Sequence, residues 1–149
     1  MGAAPVCAQM LVLIEEDGNS RQVVESLQRS GHRVTACSNY AEAIDILHRD
    51  HFDLVISDVH LENGGSVFDF AIWVKKNSKT WRTPFAMFSF HPSPTGKYLE
   101  DGLRTTARLL GVASYIRMDK FDSSEFRKQI DSLLTEKDQV VMESPQEIR

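Results

Sequence analysis

Short apolar runs alternate along this chain with longer stretches in which apolar residues recur every three or four positions. Leu54, Val55 and Ile56 form a continuous apolar run, which is typical of a strand buried on both faces of a sheet. Val23 and Leu27 recur with the spacing of one helix face and predict an amphipathic helix. The same alternation predicts strands over 10–14, 33–37, 53–57, 85–90 and 113–117, and helices over 20–29, 40–47, 68–74, 99–110 and 123–134.

The ends of these helices carry their own signals. Asn39 followed by Glu42, and Asp122 followed by Glu125, have the spacing of a capping box, in which side chains bond the first free N–H groups of a helix. Gly31 suits the left-handed position that ends a helix. These signals predict where the first, second and last helices begin or end.

Strands alternating with helices predict a parallel sheet, since a parallel pair needs a crossover that is usually helical. We therefore predict an α/β fold: a doubly wound, five-stranded parallel sheet with five helices covering both faces. Residues 9–135 are predicted to form this one domain, after a short extension over 1–8. Residues 136–149 are polar and are predicted to be a flexible tail.

Composition excludes several classes of function. Hydrophobic residues make up 42% and charged residues 26% of the 149, as in ordinary globular proteins. A net charge of -4 gives no basic face for nucleic acid, and no apolar run approaches the roughly 18 residues that would span a membrane. Cys7 and Cys37 are too few for a disulfide framework or a metal site. We expect a reduced, cytoplasmic protein that binds neither nucleic acid nor membrane.

Acidic side chains follow two of the predicted strands at the point where each strand ends. Asp58 comes directly after the third strand, and Glu15, Glu16 and Asp17 come directly after the first. If these strands are adjacent and parallel, the acids meet at one edge of the sheet, where ligands bind in open α/β folds. Their mutual repulsion and desolvation would cost several kcal/mol unless a cation lay between them. Oxygen ligands of this kind suit Mg²⁺.

In this order of elements, residues 9–135 resemble the receiver domain of two-component response regulators, which has a flavodoxin-like fold. No single segment is specific for this family, but the order and spacing of the segments together are. The segments that carry the resemblance are Leu13 to Asp17 with Arg21, Asp53 to Asp58, Pro84 to Ser89, Gly111 to Ile116, and Phe121-Asp122.

The resemblance implies phosphoryl transfer to a carboxylate. Asp58 matches the acceptor, which a sensor histidine kinase or a phosphotransfer protein would phosphorylate in the presence of Mg²⁺. Beyond phosphorylating itself, such a domain is not an enzyme. The resemblance gives the remaining roles as follows: Glu15, Glu16, Asp58 and the backbone carbonyl of His60 bind the metal, Ser89 contacts a phosphoryl oxygen, and Tyr115 is the aromatic whose rotamer accompanies the switch.

The resemblance also implies an output by protein contact. In this family the fourth helix, the fifth strand and the fifth helix commonly form the face that a downstream partner binds. We therefore expect a single-domain response regulator that signals through a protein partner at this face.

Three positions depart from the family pattern. Met118 stands where a lysine normally pairs with the acceptor, and Lys120, two residues on, would have to bend back to replace it. Glu16 stands where an aspartate is usual, and Glu62 where a proline is usual. The segment 91–100 also looks longer than is typical.

These departures leave two alternatives open. One is a pseudo-receiver, the same fold acting as an interaction module independent of phosphorylation, for which Met118 is the discriminating feature. The other is a flavodoxin-like enzyme or cofactor carrier. That function needs a phosphate-binding loop after the first strand, and the acids over 15–17 have the wrong charge for it.

Overall fold

The computed structural model describes residues 7–59, 67–90 and 94–147 and places all the strands it describes in one parallel sheet. The sheet has five strands in the order β2-β1-β3-β4-β5. This confirms the predicted doubly wound α/β fold. The strands are β1 (Gln9–Leu13), β2 (Arg33–Cys37), β3 (Leu54–Asp58), β4 (Phe85–Phe90) and β5 (Ser114–Met118), and the helices are α1 (Asp17–Arg29), α2 (Tyr40–Arg49), α3 (Val67–Lys76), α4 (Pro94–Leu109) and α5 (Ser123–Glu147).

The hydrophobic core lies on both faces of the sheet because successive side chains of a strand point to opposite sides. On one face, Phe88 of β4 packs against Phe126 of α5, with ring centroids 5.4 Å apart. On the other face, Phe85 of the same strand packs edge-on against Phe70 of α3 at 5.5 Å. The two-sided burial predicted for a central strand is confirmed. Among the described helices, none is both long and apolar enough to cross a membrane.

The predicted helix ends are confirmed where capping signals were present. The side-chain oxygen of Asn39 accepts a hydrogen bond from the N–H of Glu42 at 2.9 Å. The carboxylate of Asp122 accepts one from the N–H of Glu125 at 3.0 Å. Gly31, with φ 93°, adopts the left-handed conformation that follows α1.

Two helices differ from the prediction. Residues 94–98 were predicted to belong to a loop before the fourth helix, but α4 already begins at Pro94. Proline suits the first helical position because the N–H it lacks has no partner there. The backbone of α5 is helical to Glu147, where a flexible tail was predicted from residue 136. No glycine or proline interrupts 136–143, and extending an existing helix adds one hydrogen bond for each residue fixed, whereas starting a helix fixes several residues for the first bond. The domain boundary at 135 stays a prediction.

Two helical leucines offer a matched test of the core. Leu27 of α1 is fully buried, whereas Leu109 of α4 is 80% exposed. We expect Leu27→Ala to lower the free energy of unfolding by about 2–5 kcal/mol, since it removes buried methyl groups and leaves a cavity. Leu109→Ala should change it by no more than about 0.5 kcal/mol. Urea denaturation measures both, and equal effects would contradict the described core.

His32 gives the fold a predicted acid sensitivity. The ring is 7% exposed, and its Nδ1 accepts a hydrogen bond from the N–H of Ala8 at 3.1 Å. Burial lowers the pKa of His32 from its usual 6.5, although the charge of Asp131 acts in the opposite direction. Below pH 6.5 the unfolded chain therefore binds a proton that the folded ring takes up only at lower pH.

We expect the free energy of unfolding to fall as the pH drops from about 7 to about 5, with a slope from this residue of up to about 1.4 kcal/mol per pH unit. His32→Gln keeps an acceptor but does not titrate, so its stability should depend less on pH over this range. The same substitution at His51, whose side chain is 73% exposed, is the control. Urea denaturation at each pH measures the slope, and an unchanged slope in His32→Gln would contradict the assignment.

Candidate functional site

The site lies where the strand order of the sheet reverses. After β1 the chain moves outward to β2, and it then returns to the other side of β1 to form β3. β1 and β3 are paired directly, with Leu13 opposite Ser57. The residues that follow Leu13 and Ser57 therefore meet at one edge, and such reversal points are where ligands bind in open α/β sheets. Asp58 and Glu15 lie at this edge.

Asp58 is held by the strands on either side of it. It is the last residue of β3 and only 7% exposed, in register with Phe88 of β4. The N–H of Val59 donates to the carbonyl of Phe88 at 3.1 Å, which carries the pairing one residue past the strand end. Ser89 follows Phe88 in β4 and is 1% exposed, so it lies at the same edge as Asp58. Its contact with a phosphoryl oxygen stays a prediction.

Glu16 caps α1, the helix that begins immediately after it. It is exposed and is the N-cap of α1, where its Oε1 accepts a hydrogen bond from the N–H of Asn19 at 2.6 Å. A carboxylate is favourable at this position because the N-terminus of a helix carries free N–H groups and a partial positive charge. Its predicted role as a metal ligand stays a prediction.

The metal ligands predicted from the sequence stay predictions. His60 lies outside the described residues. Within the part of the chain that the structure describes, no three acidic, histidine or cysteine side chains are placed to hold a metal ion. Glu15, which is half-buried, and Asp58 remain as candidate ligands. This fits Mg²⁺, which proteins commonly bind through one or two carboxylates while it keeps several waters.

Tyr40 is a residue of this site that the sequence interpretation missed. It is the first residue of α2 and is 9% exposed, and its ring packs against Phe70 of α3 with centroids 5.2 Å apart. Burial, followed by the negative charges of Asp58, Asp69 and Glu15, raises the pKa of Tyr40 well above its usual 10. The phenol therefore remains protonated at neutral pH, and its hydroxyl is a hydrogen-bond donor in an acidic environment.

A sequence signal for Tyr40 was present. The apolar stripe of α2 contains Ala43, Ile44 and Leu47, and Tyr40 precedes them by three, four and seven positions. Residues with this spacing share one helix face. Tyr40 also follows the N-cap Asn39, which places it just beyond the carboxyl end of β2. Asp69 of α3 gave no such signal, because only the packing of α3 brings its charge near Tyr40.

Tyr115 links β5 to α4. Its side chain is half-buried, and the guanidinium of Arg104 lies 4.6 Å from the centre of its ring. Nη1 of Arg104 also donates to the backbone carbonyl of Tyr115 at 3.4 Å. A change in the rotamer of Tyr115 would break the cation–π contact, so this residue is well placed to move α4. The switch itself stays a prediction.

Met118 belongs to the core. It is 7% exposed and lies in the apolar cluster that contains Phe126 and Ile130 of α5. Lys120 is exposed and makes no ion pair with a described residue. The sequence left open whether Lys120 bends back towards the acids. Among the described residues, no such ion pair is present.

Comparison with solved structures shows the class of fold. Chemotaxis response regulator CheY4 of Vibrio cholerae is similar with a TM-score of 0.72 and 20% identity, covering 86% of this chain and 99% of that chain. The signal receiver domain of a signal transduction histidine kinase from Syntrophus aciditrophicus has a TM-score of 0.71 and 16% identity, covering 87% of this chain and 91% of that chain. The protein thus has the receiver-domain fold.

A longer protein also contains this fold. NtrX from Brucella abortus is similar with a TM-score of 0.79 and 17% identity, covering 97% of this chain and 30% of that chain. This chain therefore spans less than a third of the length of that NtrX chain. No protein-family model matches the chain, and no curated protein matches it either. The resemblance to receivers is confirmed at the level of the fold.

The cap formed by Glu16 can be tested separately from any metal. We expect Glu16→Ala to lower the free energy of unfolding by about 1 kcal/mol, because it removes the acceptor for the N–H of Asn19. Glu16→Asp should keep most of the stability, since aspartate is also a good N-cap. Glu25→Ala, which removes an exposed ion pair with Arg29, is the control and should cost no more than about 0.5 kcal/mol. Urea denaturation without divalent cations measures all three, and a neutral Glu16→Ala would refute the cap.

Proposed function

We propose that this protein is a phosphoryl-accepting receiver whose acceptor is Asp58. The observation that carries the proposal is a buried carboxylate at the end of β3, at the reversal point of the sheet, with Glu15 two residues past the end of the adjacent strand. A carboxylate is ionised at neutral pH and attacks without a general base. Position and charge compensation are then the main tasks left to the protein.

In the proposed reaction, one oxygen of Asp58 forms a bond to the phosphorus atom of the donor. The bond between phosphorus and the donor atom breaks, and its electron pair leaves with the donor. Glu15 and Asp58 are the described side chains that would hold Mg²⁺, together with the backbone carbonyl of His60. When bound, the ion neutralises negative charge on the acceptor and on the phosphoryl group. Ser89, at the same edge, would donate its hydroxyl to a phosphoryl oxygen.

We propose that a sensor histidine kinase or a phosphotransfer protein is the donor and that the reaction takes place in the cytoplasm. The output would be a protein contact at the face formed by α4, β5 and α5. The contacts between Arg104 and Tyr115 support this choice, because they join α4 to β5 through the predicted switch residue. A shift of Tyr115 on phosphorylation would change how α4 sits on the sheet.

A second function is favoured by a specific observation. Met118 occupies the position of the family's lysine and is buried in the apolar core, so no ammonium group is supplied from this end of β5. The protein would then be an interaction module that binds its partner through the same face without phosphorylation.

A small phosphodonor separates the two functions. Incubation with acetyl phosphate and Mg²⁺ should add the mass of one phosphoryl group to the wild-type protein, as measured by intact mass spectrometry. Asp58→Asn should abolish the gain, because an amide is not a nucleophile of this kind. Asp45→Asn, which neutralises an exposed aspartate of α2, is the matched control and should retain it. A folded wild-type protein that gains no mass would favour the phosphorylation-independent module.

A further inference from the structure

We propose that Tyr40 is a positioning residue for the phosphorylated state, in which its hydroxyl donates a hydrogen bond to a phosphoryl oxygen carried by Asp58. The inference rests on the proposed function and adds a residue from α2 to the site. It also makes α2, in addition to α4, sensitive to phosphorylation.

The side chain of Tyr40 is fixed in place by its surroundings. Asn39 caps α2 immediately before it, and Phe70 packs against its ring. Tyr40 lies in the same apolar cluster as Val59, the residue that follows Asp58. A buried ring that packs in this cluster has little freedom to move, so the position of its hydroxyl oxygen is set before any ligand arrives.

The hydroxyl of Tyr40 has no hydrogen-bond partner among the residues that the structure describes. It is buried, and no described residue accepts a hydrogen bond from it. Nearly all buried polar groups in native proteins are bonded, because an unpaired one is costly, and an exception calls for a physical explanation. A ligand that brings the missing acceptor when the protein is in its signalling state is such an explanation.

The charges around Tyr40 indicate the chemistry of that acceptor. Asp58, Asp69 and Glu15 all act on the hydroxyl and favour its protonated form, so it remains a donor across the neutral range. Asp58 itself does not accept its proton in this structure. A phosphoryl group on Asp58 adds strong acceptor oxygens and extends them beyond the carboxylate. A neutral donor can bond such an oxygen without a counterion of its own.

This role differs from that of the family's lysine. An ammonium at position 118 would supply a positive charge from β5, whereas Tyr40 supplies a directed, neutral hydrogen bond from α2. Met118 belongs to the apolar core and has no donor group, so position 118 cannot duplicate the hydrogen bond proposed for Tyr40. The phosphorylated state would then gain a bond that the unmodified state lacks.

Tyr40→Phe removes only the hydroxyl and therefore has opposite effects in the two states. The unmodified variant should be at least as stable to heat as the wild type, since it loses an unpaired buried donor. Its apparent affinity for beryllofluoride in the presence of Mg²⁺, an analogue of a phosphoryl group on Asp58, should fall by about tenfold or more. Thermal shift measured across a beryllofluoride titration gives both quantities. Its affinity for Mg²⁺ alone should equal that of the wild type.

Thr80→Val is the matched control for loss of a buried hydroxyl. Thr80 precedes β4 at the opposite edge of the sheet, and its hydroxyl donates to the carbonyl of Val74 at 2.6 Å. This variant should lose thermal stability and keep the wild-type affinity for beryllofluoride. A merely structural role of Tyr40 would give the pattern of Thr80→Val.

The remaining outcomes separate the two proposals. If wild type binds beryllofluoride and Tyr40→Phe binds it equally well, the role of Tyr40 is overturned and the acceptor function stands. If the affinity of Tyr40→Phe for Mg²⁺ alone falls to the same extent, the hydroxyl bonds a water molecule bound to the ion and not the phosphoryl group. The inference is then overturned as well. If wild type shows no beryllofluoride binding that depends on Asp58, both proposals fail. A Tyr40→Phe variant that cannot fold would show that the hydroxyl is needed in the unmodified state, contrary to the inference.

Discussion

The direct pairing of β1 with β3 is the constraint on which the rest of this structure depends. It brings the acidic residues after each strand to one edge, although they are far apart in the sequence. The negative charges gathered at this edge repel one another. The folded state tolerates this repulsion because apolar layers on both faces of the sheet hold the strands in register. The same edge is where a cation would be most strongly stabilised, and a cation held there would offset the negative charge of a phosphoryl group.

The fold gives chemically similar residues different roles at this edge. Glu16 caps α1 and accepts a hydrogen bond from the N–H of Asn19, whereas Asp58 is buried at the end of β3. Tyr40 comes from α2 and adds a neutral donor to a region dominated by carboxylates. Met118 lies in the core at the position where receivers carry a lysine, so the hydrogen-bond donors around the proposed acceptor Asp58 would differ from theirs. Loss of that lysine alone therefore does not decide whether phosphorylation is retained.

Local sequence patterns were sufficient to predict most of the strands and helices of the fold. The apolar spacing predicted five strands and five helices in the right order, and side-chain caps at Asn39 and Asp122 placed two helix starts correctly. The start of α4 at Pro94 was missed because proline was interpreted as part of a loop, although it also fits the first turn of a helix. The length of α5 was missed because a polar sequence has no apolar stripe, yet its backbone can continue an existing helix.

The sequence by itself determined which residues form each strand and helix, since the period of apolar positions and the capping side chains act within a few residues. It also marked the acids at the strand ends. Only the tertiary structure decided what each acid does and which groups surround it. Glu15 and Glu16 are identical and adjacent in the chain, and the turn into α1 assigns one of them to the cap. The environment of Tyr40 arises from three separate elements, because electrostatic fields and burial depend on distance in space and not on separation along the chain.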